Sequence, residues 1–400
     1  MANIAPATVL SSTKCGGDFG RVCPGGAATT LAREPLSSSA AVLAGVSVSV
    51  TGEFKRQGQD ALNAIRLWAE HVERGGGIAV GDGGPRRPLR LIFLDDASRT
   101  ERAKANILRL LGDEHVDLLL GPYSSRLTLA AARITEACGK VLWNHGGSSD
   151  AIWSSGYRRV ISVPSPASDY LRRLPRLAKL RDPRVHRISV LHASRGSFAA
   201  YVAGGAAQGA KAVGFDTIEL VPFEPPLGNA RALLEQALAA RPDVLIGVGS
   251  FEDDVSIVRH RQLLQGVSTL AVVAAGLDAF HREVGELAEG VIGPSQWEPA
   301  EDEAPVTGPD SRWFCSEFER GFGQSPGYPA AQAYAVGVII QECLRRAGTL
   351  DDDTLLRVAR GIQTTTLYGA FQLDPVRLRQ TGHRVQLVEW RHGRKELVTV

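Results

Sequence analysis

Short apolar runs alternate with longer amphipathic stretches along most of this chain. From Val42 onward, runs rich in Val, Leu and Ile are followed by stretches in which apolar residues recur every three or four positions. This alternation is typical of βαβ units and a largely parallel sheet, so the pattern predicts an α/β fold. The predicted strands are Leu43–Val50, Leu89–Asp95, Leu118–Gly121, Val141–Asn144, Arg187–His192, Thr217–Pro222, Val244–Val248 and Thr269–Ala274. The predicted helices between them are Gln59–Glu73, Arg99–Leu111, Leu127–Ala137, Ser197–Ala212, Ala230–Ala239 and Asp253–Leu264.

Helical periodicity dominates the part of the chain that follows the Pro- and acid-rich loop Glu298–Pro309. Because 400 residues exceed what one hydrophobic core usually serves, we expect two lobes of ordinary domain size. The last predicted elements are helices at Ser311–Gly323, Ala330–Ala347 and Leu350–Ile362 and a terminal pair of strands at Gly369–Leu373 and Arg384–Trp390.

Two of the predicted strands are continuous apolar runs that end in glycine, at Gly121 and at Gly249. Runs of this kind suit strands that are buried on both faces of a parallel sheet. The carboxyl ends of such strands open into a crevice, where ligands bind in open α/β sheets. We therefore expect any binding site to lie at these strand ends.

The charge balance argues against a nucleic-acid partner. The chain has 45 Lys and Arg against 43 Asp and Glu, a formal net charge of +2, and no basic run is interleaved with aromatic residues. No apolar run is long enough to span a bilayer, so the sequence predicts no transmembrane segment. Residues 1–39 lack the basic start and apolar core of a secretory signal, and their Gly, Ser, Thr, Ala and Pro content predicts a disordered tail.

No motif for catalysis, cofactor binding or metal binding is found. The glycine-rich segment 75–84 follows a helix and precedes a strand, which is the reverse of the order in a nucleotide-binding fingerprint. The nine histidines show no metal-ligand spacing, and the five cysteines form no CxxC pair. We predict that the protein is not an enzyme and has no cofactor or metal. Cys138, Cys315 and Cys343 fall in helical stretches, where we expect buried free thiols.

Two segments at neighbouring strand ends carry hydroxyl groups. Gly121-Pro-Tyr-Ser-Ser125 and Asn144-His-Gly-Gly-Ser-Ser-Asp150 each lie between a buried strand and a helix. Hydroxyl and N–H groups at helix N-termini can receive a carboxylate through charge-assisted hydrogen bonds and the helix dipole. The alternative is that Ser125, Ser148 and Asp150 only cap helices. His145 ends a strand, and a lone histidine there is more often structural than functional.

Paired carboxylates occur at Asp95-Asp96 and at Asp253-Asp254. Sequence neighbours on a strand or at a helix start point apart, which disfavours joint acid–base chemistry. Helix capping and solvation of strand ends explain these pairs better.

An ordered series of short segments resembles the branched-chain amino-acid-binding (Leu/Ile/Val-type) family of periplasmic binding proteins. The resemblance runs from about Val42 to the C-terminus. The segments that carry it are Val46–Gly58, Glu73–Ile78 with Leu89–Asp96, Gly121–Ser125, Asn144–Ser149 with Gly156-Tyr157, Ala288–Val291, Tyr334-Ala335 and Tyr368–Phe371. The fold implied is the type I fold of this family, with two doubly wound parallel-sheet lobes joined by three crossovers near Pro164, Pro294 and Ala370. Lobe 1 would then be 40–164 and 295–369, and lobe 2 would be 165–294 and 370–400.

The resemblance also implies roles for single residues in the first lobe. Ser125 matches the hydroxyl that holds the ligand carboxylate, and Ser148 matches the hydroxyl and backbone donor at the next helix. Gly146 matches the backbone carbonyl that receives a ligand ammonium, and Phe54 matches the aromatic residue over the ligand side chain. Ser124 stands with Ser98 where some members have cysteines.

From the second lobe, Ser197 or Phe198 and Ser250 or Phe251 stand near positions where the best-known members use tyrosines. Asp278 and then Glu252 are the candidates for pairing with a ligand ammonium. If neither reaches the ligand, an amide or a simple carboxylate is expected, because a buried ammonium without a counter-charge is costly.

The function implied is that of a receptor whose lobes close on a small amino-acid-like ligand and that delivers it to a membrane ABC permease. The resemblance implies a periplasmic location. A cytoplasmic amide- or amino-acid-sensing regulator of the same fold is the alternative, since no export signal is seen. A hydrolase or other enzyme is the third and least favoured hypothesis.

Overall fold

The computed structural model describes residues 40–299 and 304–400. The predicted disordered tail, residues 1–39, lies outside this range, as do Cys15 and Cys23. The chain divides into two compact units, each built around a largely parallel sheet with helices. This confirms the predicted fold class, an α/β fold with two parallel-sheet lobes.

The secondary structure follows the predicted alternation of strands and helices. The strands, in chain order, are β1 (Val42–Val48), β2 (Ile78–Ala79), β3 (Arg86–Arg87), β4 (Leu89–Asp95), β5 (Leu118–Leu120), β6 (Leu142–Asn144), β7 (Val160–Ser162), β8 (Arg187–Ala193), β9 (Thr217–Phe223), β10 (Val244–Val248), β11 (Thr269–Val272), β12 (Ile292–Ser295), β13 (Gln363–Thr366), β14 (Gly369–Gln372), β15 (Gln386–Arg391) and β16 (Arg394–Val398). The helices are α1 (Lys55–Arg74), α2 (Thr100–Gly112), α3 (Ser125–Ala137), α4 (Ala151–Ser154), α5 (Leu174–Arg181), α6 (Ser197–Ala212), α7 (Ala230–Leu238), α8 (Phe251–Arg259), α9 (Asp278–Val284), α10 (Ser311–Phe322), α11 (Tyr328–Ala347) and α12 (Asp352–Gly361).

Among the described residues, the first unit consists of 40–147, 152–164, 299 and 304–383. Its main sheet has the order β4-β1-β5-β6-β7, and all neighbouring strands are parallel. The chain runs from β1 to β4 on one side and then to β5 on the other, so β1 and β5 form the topological switch point. Ligands of doubly wound sheets bind outside the carboxyl ends of the strands at such a point. The loops that follow β1, β5 and β6 are therefore the place to look for a site.

The second unit consists of residues 148–151, 165–298 and 384–400. Its sheet has the order β16-β15-β12-β11-β10-β8-β9, in which β15 runs antiparallel to both β12 and β16 and the other neighbouring strands are parallel. Here the switch point lies between β8 and β10. The two units thus repeat one doubly wound topology, and each has its own buried apolar core.

The places where the chain passes between the units differ from those expected. Apart from residues 148–151, which belong to the second unit, the chain passes between the units after Pro164, as expected, and then after Glu298 and after His383. Residues 370–383 stay with the first unit because β14 pairs with β13 there. In that unit, the Gln380 side-chain amide also donates to the carbonyl of Val163.

The expected terminal strand pair is wrong. β14 pairs with β13 and not with the strand that begins near Arg384. That strand, β15, pairs instead with β12 and with β16, the last strand of the chain. The run of three threonines at 364–366 supplies the β-branched residues that make β13 a better partner for β14.

The cysteines are in two states. Cys315 and Cys343 are free, as expected, and burial raises the pKa of the Cys315 thiol to about 11. Cys138 is disulfide-bonded, so the expectation of a free thiol is wrong there. Cys138 is only partly buried at the end of α3, where another segment of chain can reach it.

Candidate functional site

The N-terminus of α3 is the most unusual feature of the first unit. Ser124 is the N-cap, but its side chain makes no capping hydrogen bond, and its backbone has φ +104°. The Ser124 hydroxyl is buried and has no hydrogen-bond partner among the described residues. Positive φ is strained for a serine, and such strain persists where the surroundings impose it. The N–H groups of the first helical turn are thus not capped by Ser124, and Ser125, the first helical residue, is buried beside them.

The turn after β6 lies against the turn after β5. Asn144, which is fully buried, holds this second turn: its side-chain Oδ1 accepts from the N–H groups of Gly146 and Gly147 at 3.1 and 2.8 Å. A Cβ atom on Gly146 would lie 2.7 Å from Tyr123 Cα, and one on Gly147 would lie 2.5 Å from Thr128 Oγ1. Only glycine allows so close an approach. The two predicted segments are therefore brought together, with Ser124, Ser125 and Gly146 in one unit.

His145 lies in the same turn and is completely buried. Neither ring nitrogen makes a hydrogen bond of normal geometry among the described residues. Burial lowers the pKa of His145 to about 4, an effect that the Gly121 backbone partly opposes. The imidazole is therefore neutral at neutral pH and has unused capacity to donate and accept.

The loop after β1 places Phe54 near α3. Its N–H donates to Ser98 Oγ at 2.9 Å, and its ring meets the ring of Tyr123 edge to face, with centroids 6.0 Å apart. The Arg126 guanidinium lies 5.5 Å from the centre of the Phe54 ring. An aromatic pair and a cation thus border the start of α3. Tyr123 and Arg126 were not predicted from the sequence, because only their neighbours in space reveal them.

Asp95 and Asp96 hold this loop and are not in a position to react together. Asp96 is buried and accepts from Ser47 and Ser49 hydroxyls and from the N–H of Ser98. Burial raises its pKa, and these hydrogen bonds oppose the increase. Asp95 accepts from Thr51 and from the Val50 and Ala97 N–H groups. The effect of burial is outweighed by these bonds, so the pKa of Asp95 is lowered. These contacts agree with a structural role for the Asp95-Asp96 pair and not with joint acid–base chemistry.

Ser148 lies in the second unit, although it follows the first-unit strand β6 closely in sequence. Its hydroxyl is buried and accepts a hydrogen bond from the Tyr170 hydroxyl at 3.2 Å. Ser197, the first residue of α6, lies with its hydroxyl 2.7 Å from that of Ser149. Phe198 packs edge to face on Tyr170, with centroids 5.3 Å apart. Ser148, Ser197 and Phe198 therefore form one group in the second unit.

Ser250 and its neighbours make a helix start. Ser250 and Asp253 form a reciprocal capping box at the N-terminus of α8, so the Ser250 hydroxyl already accepts from the Asp253 N–H. Phe251 is half-buried and packs against the second-unit core, and Glu252 is exposed. The expected ligand role is thus weakened for Ser250 and Phe251.

Asp278 is paired with a lysine. Lys395, whose side chain is only 11% exposed, lies 3.0 Å from Asp278 and 2.7 Å from Glu298. Burial raises the pKa of Glu298, which Lys395 opposes. Asp278 therefore has a partner before any ammonium arrives.

Asp254 is the buried acid that sequence reasoning placed in a simple helix start. Its two carboxylate oxygens accept from the N–H groups of Gly249 and Ala274 at 2.9 and 2.8 Å. Burial raises its pKa to about 8, and the backbone hydrogen bonds oppose this. Asp254 ties the loop after β10 to the one after β11, both at the carboxyl edge of the second sheet.

Comparison with known proteins identifies the chain. A family model described as "Periplasmic binding protein" matches residues 42–395. The chain belongs to the periplasmic binding protein family. Members of this family are non-enzymatic receptors, which confirms the prediction that the protein is not an enzyme. Within the described residues, no helix has the length and apolar character needed to cross a membrane.

The relatives of this periplasmic binding protein are distant. "Leu/Ile/Val-binding protein homolog 8" of Brucella abortus is 22% identical over 236 residues, which is 57% of this chain and 56% of that protein. The chain thus spans little more than half the length of the curated relatives it matches.

Two solved structures share its fold. A leucine-binding protein, LivK, from Thermotoga maritima has a TM-score of 0.77 at 18% identity and covers 90% of this chain and 98% of its own. A solute-binding protein of an ABC transporter from Rhodopseudomonas palustris, in complex with 3,4-dihydroxybenzoic acid, has a TM-score of 0.75 at 18% identity and covers 89% and 95%.

Proposed function

We propose that this periplasmic binding protein is a solute-binding receptor of an ABC-type uptake system and that its two lobes close on a small carboxylate ligand of amino-acid-like size. The observation that carries the proposal is the unpaired, buried hydroxyl of Ser124 at the N-terminus of α3. An unsatisfied buried hydroxyl costs about 1–3 kcal/mol, which a ligand oxygen bound there would recover. The positive end of the helix dipole favours a negative ligand at the same place.

The surroundings of α3 favour a carboxylate that carries an apolar body. Phe54 and Tyr123 offer aromatic surface, and Arg126, which is paired with Glu53 at 3.1 Å, lies next to it. The acids of the neighbouring loop, Asp95 and Asp96, are each held by hydrogen-bond donors. The first unit thus presents donors and apolar surface to a ligand.

The ligand is an amino acid or, as a second candidate, an aromatic carboxylate without an ammonium group. The first candidate follows the leucine-binding protein among the structural neighbours, and the second follows the dihydroxybenzoate complex. The ion pair between Asp278 and Lys395 favours the second candidate, because it leaves Asp278 less able to compensate an ammonium. Glu252, which is exposed, is the remaining acid for the first.

A thermal-shift screen tests the proposal. The probes are L-leucine, L-isoleucine, benzoate, 3,4-dihydroxybenzoate and the corresponding amides. A ligand that binds only the folded form raises the unfolding midpoint, and at a hundredfold excess over Kd the gain is about 2.7 kcal/mol. Since a receptor releases its ligand unchanged, each probe should be recovered intact after incubation. Turnover of any probe would instead support the enzyme hypothesis.

Delivery to a membrane permease and a periplasmic location are part of the same proposal. Cell fractionation tests the location, and co-purification with a permease after cross-linking tests the partner. Recovery in the cytoplasmic fraction without a permease would favour the ligand-sensing regulator.

Ser124→Ala should separate binding from stability. Because the hydroxyl has no hydrogen-bond partner among the described residues, its removal should raise the free energy of unfolding by about 1–3 kcal/mol. The same change should weaken the affinity for whichever probe stabilises the wild type by about tenfold, since one hydrogen bond to a charged group contributes about 1.5–3 kcal/mol. Isothermal titration and urea denaturation measure the two quantities.

Ser316→Ala provides the matched control, because Ser316 is an exposed serine in α10. It should alter neither quantity. Unchanged affinity in Ser124→Ala would remove this hydroxyl from the site.

A further inference from the structure

Positive charge is concentrated in one short stretch of the second unit, residues 172–187, which includes α5. This stretch contains seven arginines and lysines and a single acid, Asp182, whereas the whole chain has a net charge of only +2. The rest of the chain therefore has more acidic than basic residues. A local excess of this kind sets up a positive surface potential that attracts anionic partners.

One face of α5 is fixed in the second unit. Leu171, Leu174, Leu177 and Ala178 are all buried in the apolar core of that unit. Since these residues recur at helical spacing, the residues between them face outward. The helix is thus held by its apolar side, and its other side forms part of the protein surface.

The outward side of α5 carries only basic residues and one leucine. Arg173 has helical backbone angles just before the helix begins, and its guanidinium donates to the main-chain oxygen of Val400. At 100° per residue, the outward positions fall in an arc of about 120°, and none of them is acidic. We call these five residues the basic face: Arg172, Arg173, Arg176 and Leu180, which are exposed, and Lys179, which is partly exposed.

The other charges of the basic face have weak partners or none. Arg172 lies 3.9 Å from Asp169, and both side chains are about half exposed, so this pair contributes little. Lys179 Nζ lies 5.2 Å from the centre of the Phe215 ring. Arg176 makes no ion pair or side-chain hydrogen bond within the described part of the chain.

The arginines that lie outside the basic face are compensated. Arg181 donates to both carboxylate oxygens of Glu389 at 2.9 and 2.8 Å. Arg184 donates to both oxygens of Asp182 at 2.9 and 3.0 Å. The uncompensated positive charge is therefore concentrated on the basic face.

The residues of the basic face suit a lipid surface better than a nucleic acid. Residues 172–187 contain no Phe, Tyr or Trp, the side chains on which bases stack. Leu180 is 63% exposed, more than any other leucine that the structure describes. Basic residues around an exposed leucine match the surface of an anionic membrane, where cations meet lipid phosphates and an apolar side chain enters the boundary with the acyl chains.

We propose that the basic face of α5 docks the protein on an anionic phospholipid surface, with its guanidinium groups at lipid phosphates and Leu180 in the boundary layer. This inference goes beyond the proposed function and does not depend on which ligand the protein binds. None of the five residues belongs to the candidate ligand site.

Co-sedimentation of the full-length chain with vesicles tests the proposal. The probes are vesicles of equal parts phosphatidylglycerol and phosphatidylcholine, compared with vesicles of phosphatidylcholine alone. We expect binding to the anionic vesicles only, and a loss of at least about tenfold between about 0.05 M and about 0.5 M NaCl, because salt screens exposed charges.

Arg172→Gln combined with Arg176→Gln should lower the partition coefficient on anionic vesicles by about 25-fold, since each basic residue near such a surface contributes about fivefold. The matched control is Arg357→Gln with Arg360→Gln, two exposed arginines of α12 in the first unit. It removes the same charge and should lower binding by less than about twofold. Both double variants should unfold at the wild-type temperature, because all four arginines are exposed.

Leu180→Gln tests the apolar contact at constant charge. It should weaken binding to anionic vesicles by about threefold while the salt dependence stays that of the wild type. Binding as strong as that of the wild type would remove Leu180 from the contact.

Other outcomes would overturn membrane docking. They are equal binding of the wild type to the two kinds of vesicle and equal effects of the two double substitutions. A single-stranded RNA probe that is retained without any vesicle binding, and lost in Arg172→Gln with Arg176→Gln, would make a nucleic acid the partner instead. No solute ligand is added in these assays, so a failure of the proposed receptor function would leave their result unchanged.

Discussion

Asp254→Asn should lower the free energy of unfolding of the second unit by about 3 kcal/mol, which is the cost expected when a buried backbone donor loses its acceptor and faces another donor. The carboxylate uses one oxygen for the Gly249 N–H and the other for the Ala274 N–H. An asparagine amide offers only one accepting oxygen, so its NH2 group must face one of these N–H groups. Urea denaturation at pH 9, where Asp254 is ionised because its pKa is raised to about 8, measures the change.

The control is Glu252→Gln, two positions earlier in the same helix. Glu252 is exposed, so the loss of its charge should change stability by less than about 0.5 kcal/mol. Equal stability of Asp254→Asn and the wild type would mean that the two loops are held together without this carboxylate.

The Asp254 carboxyl group should also make the free energy of unfolding of the wild type decrease as the pH rises. Because burial raises the pKa of Asp254 to about 8, the folded protein keeps a proton that the unfolded chain releases above about pH 4. The contribution of Asp254 to stability is therefore complete below about pH 4, falls as the pH rises toward 8 and is constant above it. In Asp254→Asn, the free energy of unfolding measured by urea denaturation should not show this decrease between pH 5 and 8.

Most of the fold follows from periodicity because the strands of doubly wound sheets are short, apolar and separated by amphipathic helices. β1, β4, β8, β9, β10 and β11 were all predicted near their observed bounds. β12 was missed because it reads Ile-Gly-Pro-Ser, and glycine and proline argue against an interior strand. β7 was missed because three residues carry no measurable alternation.

The candidate site was predicted in part. Hydroxyl groups between strands and helices led to Ser124, Ser125 and Ser148, because the carboxyl ends of parallel strands meet at one edge. The sequence cannot show which unit holds Ser148, since that depends on hydrogen bonds to residues 167–170 across the fold. The capping box of Ser250 was readable from its Ser-Phe-Glu-Asp pattern. Tyr170 carries no sequence signal, because its contacts with Ser148 and Phe198 depend only on what lies next to it in space.

Acidification from pH 7 to pH 4.5 should lower the free energy of unfolding of the wild type more than that of His145→Asn. The difference between the two decreases should be up to about 3 kcal/mol. The pKa of the buried His145 imidazole is lowered from 6.5 to about 4. Above pH 6.5 the ring is neutral in both states and contributes nothing to the slope. As the pH falls below 6.5 the unfolded chain takes up a proton that the folded protein refuses until about pH 4, so stability is lost across this window. Urea denaturation at the two pH values gives the change in the free energy of unfolding for each protein.

The carboxylates titrate in both proteins, so their effect cancels in the comparison. The control is His115→Asn, at an exposed histidine of the same unit, which should show the same dependence of stability on pH as the wild type. Equal slopes in all three proteins would mean that His145 can be protonated in the folded state, through contact with water or a ligand group at its unpaired nitrogens.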